Sequence, residues 1–90
     1  MSHSMVGGNL QEMQQMSNQF TQQAEAVRAT MTALDREAAK VGTAWTGQGA
    51  QRFQQSWQNY RTAFQRMAEE LGEASRVITT YRQNIDSATQ

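Results

Sequence analysis

Two long stretches of this 90-residue chain place an apolar residue at every third or fourth position, and the only internal glycine cluster, Gly42, Gly47 and Gly49, falls between them. The first stripe runs Leu10, Met13, Phe20, Ala24, Val27, Met31, Leu34, Ala38, Val41 and Trp45, with Ser17 as its one interruption and Met16 flanking that gap. The second runs Ala50, Phe53, Trp57, Tyr60, Phe64, Met67, Leu71, Ala74, Ile78, Tyr81, Ile85 and Ala88 without a break. Steps of three and four line one face of an α-helix, whereas a strand needs steps of two. The chain has no proline, so nothing forces a break inside either stripe.

The pattern predicts an all-α fold: an antiparallel helix-turn-helix hairpin. Residues 1–8 read as a flexible N-terminal segment and 9–90 as a single hairpin domain, with helix 1 over about 9–43, a turn at about 44–48 and helix 2 over about 49–88. Asn9 is placed to cap helix 1, with Glu12 three residues on as in a capping box. Folding the arms together near Trp45 pairs residues whose numbers sum to about 91, setting Ala38 opposite Phe53, Leu34 opposite Trp57 and Ala24 opposite Met67. The expected hairpin and dimer core is Phe20, Val27, Met31, Leu34, Phe53, Trp57, Tyr60, Phe64, Leu71 and Ile78. A two-helix hairpin cannot shield both flanks of stripes this aromatic. A second hairpin would cover them, giving a four-helix bundle.

Off the stripes, Glu25 with Arg28, Arg66 with Glu70, Glu73 with Arg76 and Arg82 with Asp86 have the spacing of helix-surface ion pairs. They read as a solvated face. Gly72 lies inside helix 2, either as a surface defect or as a point of close helix approach, and the former is favoured.

Charge and composition narrow the function. Eight basic and eight acidic residues are interspersed, leaving net charge zero, so neither nucleic acid nor an anionic membrane surface is an expected partner. No stretch reaches the roughly 20 apolar residues of a membrane span, and the start MSHSMVGGNL has neither the basic nor the apolar region of a signal peptide. With no cysteine, a single histidine, His3, and scattered carboxylates, there is no nucleophile with a base, no metal-ligand set and no cofactor loop. Gly47-Gln48-Gly49 is too short for a nucleotide fingerprint and follows no strand. No enzyme is expected, and no cofactor.

The hinge carries the sequence Trp45-Thr46-Gly47, followed by Gly49, Ala50 and Phe53, near the middle of a chain with two matched heptad arms. In this the chain resembles the WXG-motif, Esx-like family of small type VII secretion proteins, over nearly its whole length. The resemblance implies a helical hairpin that dimerises with itself or with a related WXG partner. It also implies export without a cleaved signal peptide, driven by a membrane ATPase, from a cytoplasmic pool. Within it, Trp45 and Gly47 are the turn and export motif.

The family's second export element, a tyrosine with an acidic residue four positions later, is matched only in part. Tyr81 is followed four residues on by Ile85, and Asp86 stands five away, rotated off that face. Three explanations stay open: a partner chain carries the element, the signal is relaxed here, or it lies beyond Gln90. The leading reading is a non-enzymatic type VII substrate, exported as a dimer and escorting a larger effector. The alternatives are a secreted effector that perturbs host membranes, against which the lack of a basic polar face speaks, and an intracellular helical adaptor. Near-neutral charge and a complete seam favour self-association over an obligate complementary partner.

Overall fold

The computed structural model describes residues 7–89, and within them the chain is two helices, α1 (Leu10–Ala38) and α2 (Gln48–Thr89). They pack antiparallel into a thin hairpin of 64 × 16 × 13 Å. Residues 1–6, which include His3 and most of the expected flexible segment, lie outside the described residues, as does Gln90. α1 starts where the capping residue predicts: Asn9 is extended, and its Oδ1 accepts the Glu12 amide at 3.0 Å. An oxygen there satisfies a donor that the helix itself cannot.

α1 ends at Ala38, five residues short of the expected boundary near 43. The residues after it close a compact turn instead. The amides of Lys40 and Val41 donate to Glu37 and Ala38, those of Thr43 and Ala44 to Lys40, and that of Gly42 to Trp45 at 2.7 Å. Gly42 takes φ +107°, which bends the chain out of the helical path and which L side chains rarely adopt. Val41 and Trp45 continue the apolar register in sequence but sit in this turn, joined by an isolated bridge.

The register also differs from expectation. Side-chain bonds between the helices join residues whose numbers sum to 92 or 96: Ser17 with Ser75, Asp35 with Trp57, Asp35 with Arg61, Thr21 with Ser75, and Leu10 with Arg82. Ala24 therefore lies across from Ala68 rather than Met67, and both alanines are buried. One edge of the expected stripe of α2 is exchanged for its neighbour, while Phe53, Trp57, Phe64, Leu71 and Ile78 stay half-buried, so α2 is turned by about 50° from the expected phase. The edge formed by Arg61, Ala68, Ser75 and Arg82 faces α1, while Tyr60, Met67 and Tyr81 point outward.

The buried residues are consequently small: Ser17, Ala24, Ala50, Ala68 and Ser75. Of the ten expected core residues, eight are half-buried and two, Leu34 and Tyr60, are exposed. Full burial of a leucine or phenylalanine contributes about 1.5–3 kcal/mol, and among the described residues no large side chain attains it in the single hairpin. Of the expected surface ion pairs, Glu25–Arg28 and Glu73–Arg76 form, joined by Glu37–Lys40. Such exposed pairs add only a few tenths of a kcal/mol each.

Candidate functional site

Three glycines shape the hinge, and they serve different ends. Gly47 has φ +100°, and its carbonyl accepts the Gln51 amide, so it is the residue from which α2 springs. A side chain there would meet nothing within 4 Å; the left-handed backbone alone requires glycine. Gly49 is the opposite case. It lies inside α2 with ordinary helical geometry, yet a Cβ on it would stand 3.2 Å from Cζ2 of Trp45. It therefore does not take part in the chain reversal, as its place in the glycine cluster suggests, but clears the surface on which the indole rests. Gly42 and Gly47 make the reversal.

Trp45 thereby lies against the first turn of α2 with 48% of its surface still exposed. Its ring meets Phe53 at a centroid distance of 5.8 Å and a tilt of 50°, and Phe53 stacks on Trp57 at 6.5 Å. Trp57 turns its polar edge across the hairpin: Nε1 donates to Asp35 Oδ1 at 3.1 Å, and Arg61 Nε donates to both Asp35 oxygens at 3.0 Å. Gln54 Nε2 donates to the Val41 carbonyl and fastens the turn to α2. Asp35, Arg61 and Gln54 are sequence positions that resemble ordinary surface polar residues; nothing but their place one residue beside the apolar stripe marks them as cross-helix partners.

One side of the hairpin is apolar. Leu34 from α1 and Trp57, Tyr60, Ala63, Phe64 and Met67 from α2 line an open groove of about 340 Å³. Tyr60 is 54% and Met67 48% exposed. Phe20 and Val27 share the edge of α1 that holds Leu34, being seven residues apart, and Ala74 and Tyr81 share the edge of α2 that holds Tyr60 and Met67. The apolar side thus extends along the hairpin. A second groove, of about 330 Å³, is lined by Asp35, Ala38, Ala39, Phe53, Gln54, Trp57 and Gln58 and is mixed in character.

At the far end, Tyr81 is 61% exposed, while Ile85 is half-buried. A side chain on Gly7 would meet Ile85 Cγ1 at 3.3 Å, so the chain leading into α1 crosses directly over this isoleucine. Arg82 Nε donates to the Leu10 carbonyl and ties the same two ends together. Position 85, where the resemblance calls for an acid, is the seat of the N-terminal crossing, which favours an apolar side chain. Asp86 is half-buried and engaged in an interaction of its own.

Among the described residues no three His, Cys, Asp or Glu side chains gather as a metal site, and no helix is long and apolar enough to cross a membrane. No match was found among curated proteins or among solved structures. A family model does match, described as proteins of 100 residues with WXG, and it spans residues 8–89, both helices and the hinge. By that match, and by a hairpin whose tryptophan and glycine each have a defined place in the turn, the chain belongs to the WXG100 family of small, non-enzymatic helical proteins secreted by type VII systems.

Proposed function

We infer that this chain is exported as a folded dimer, in which a second hairpin covers the apolar side, and that it escorts a partner effector through the secretion apparatus. The observation that supports the dimer is the uncovered groove of Leu34, Tyr60 and Met67 on a hairpin in which, among the described residues, no large side chain is fully buried. A second copy is the favoured partner, because the chain is neutral overall and its apolar side calls for no opposite charge; a related WXG protein is the other candidate. Light scattering should give about twice the 10.1 kDa chain mass. A stable monomer at micromolar concentration would contradict the bundle.

Trp45 and Gly47 are the residues assigned to the export signal, with the membrane ATPase as their reader. Their support is geometric: the indole is half-exposed at the hinge, away from the seam that holds the helices together. Tyr81 and Asp86 are the candidate second element, for which Tyr81 has the exposure and the pair lacks the usual spacing. Trp45→Ala and Gly47→Val should leave helical content nearly unchanged and reduce export. The test is immunoblotting of culture supernatants from strains with and without the secretion ATPase. Release that is independent of the ATPase, or undiminished in both variants, would remove the export assignment.

A further inference from the structure

The hairpin has two ways to pack α2 on α1, and the less apolar one is adopted. The edge of α2 carrying Tyr60, Met67, Ala74 and Tyr81 offers far more apolar surface than its neighbour carrying Arg61, Ala68, Ser75 and Arg82. Hydrophobic burial alone would turn the first edge inward. The structure turns it outward, and the inward edge offers a directional interaction in its place.

A cluster of four hydroxyls supplies that interaction. Each helix contributes a serine and, four residues on, a threonine: Ser17 and Thr21 from α1, Ser75 and Thr79 from α2. The Ser75 hydroxyl donates to the Ser17 carbonyl at 2.9 Å, and the Ser17 hydroxyl reaches the Ser75 carbonyl at 3.2 Å. Thr79 Oγ1 stands 2.7 Å from Ser17 Oγ and Thr21 Oγ1 stands 2.8 Å from Ser75 Oγ, each placed to donate. With each serine donating to the other's carbonyl and each threonine donating to a serine oxygen, every one of the four hydroxyls has a partner, and the two serine oxygens themselves lie 2.8 Å apart.

We propose that this Ser-x-x-x-Thr pair is the specificity-determining contact of the hairpin: it fixes the rotation of α2 so that Tyr60, Met67 and Tyr81 face a partner hairpin instead of α1. The partner half of that statement rests on the dimeric reading given above. Two other polar contacts favour the same rotation, Asp35 with Arg61 and Arg82 with the Leu10 carbonyl, but their side chains are only part-buried and water can replace them. The serines have no such alternative, being 4% and 7% exposed. Turning α2 by one residue would set Ala74 in the place of Ser75 and leave the Ser17 hydroxyl facing a methyl group, buried and without its partner.

The test is hydroxyl-radical labelling, followed by mass spectrometry, at a dilution where light scattering gives the single-chain mass. Wild type is compared with Ser17→Ala/Ser75→Ala, which removes the cluster, and with Ala74→Ser/Ser75→Ala, which keeps the composition and moves one hydroxyl to the adjacent edge. Methionine oxidation follows exposure, so labelling at Met67 should slow by about threefold or more in both variants, with Tyr60 changing in parallel and helicity retained. Unchanged labelling in helical variants would overturn the proposal. Loss of helicity in both would overturn it too, since the cluster would then be a requirement for folding and not a choice between rotations. If wild type proved monomeric at every concentration, the dimeric reading would fall while the labelling comparison still decided the rotation.

Discussion

The seam between the helices and the apolar side of the hairpin follow opposite rules. The seam's specific contacts come from serine, arginine and aspartate, as hydrogen bonds between particular atoms, beside half-buried apolar residues such as Leu71 and Ile78. The apolar side is made of Leu34, Tyr60, Phe64 and Met67, whose contacts need only a surface of matching shape. Small polar residues gain little from being brought together, but they fix rotation and register because an unpaired buried hydroxyl is costly. Large apolar residues gain much from burial and specify little. Fold specificity and associating surface are thus assigned to different edges of the same helices, one residue apart on α2.

The sharpest way to break this contrast is a charge on the apolar side. Met67→Glu should leave the hairpin folded, since the side chain is half-exposed in a single chain. In the proposed dimer it would bury an unpaired carboxylate at a cost of about 3 kcal/mol, more than a hundredfold in dissociation constant. Sedimentation across a concentration series measures it. Undiminished self-association would mean that the partner sits elsewhere and that the apolar side is not the associating surface.

Next in size is the seam. Ser17→Ala and Ser75→Ala should each lower hairpin stability by about 1–2 kcal/mol, with the double variant losing less than the sum because the two serines satisfy each other. Denaturant unfolding of the four species gives the coupling directly. Additive losses would show the serines acting separately, and the distinction between a directional seam and a non-directional face would weaken.

What the sequence made legible divides along the same line. The two arms, the Asn9 cap and the hinge follow from periodicity and from residues with a backbone preference, all of which are local signals. The rotation of α2 was not legible, because heptad reading assumes that the most apolar edge faces the nearest helix. Here that edge faces away, and Ser17, which looks like a gap in the stripe, is the most specific contact in the seam. The Ser-x-x-x-Thr repeated on the two arms, with its serines at mirrored distances from the hinge, was the available signal. The end of α1 at Ala38 escaped for another reason: Val41 and Trp45 keep the apolar spacing although the backbone has already left the helix.

A smaller effect separates the two kinds of polar contact within the seam. Asp35 accepts from Trp57 and Arg61, but about a third of its side chain remains in water. Asp35→Ala should therefore cost about 1 kcal/mol or less, with part of that loss screened by added salt. Thermal unfolding at low and high ionic strength tests this. A loss larger than that of Ser17→Ala would place the rotational control near the hinge rather than in the hydroxyl cluster.

The smallest predicted change is a gain. Gly72 lies in the middle of α2, and a Cβ on it would meet only Arg76 Nη1, at 3.8 Å, on its own helix. No part of α1 comes close, so the surface-defect reading of this glycine is the one the hairpin supports. Gly72 stands four residues after Ala68 and three before Ser75, which puts it on the hydroxyl side of α2. Gly72→Ala should then stabilise the hairpin by about 0.5 kcal/mol through the unfolded chain, with no strain in the folded one. Its more telling consequence is for association: if the partner covers only the apolar side, the dissociation constant should not move. A dimer weakened by this single methyl group would mean that a second hairpin approaches closely over Gly72, on the polar side, and the division of labour between the two edges would have to be redrawn.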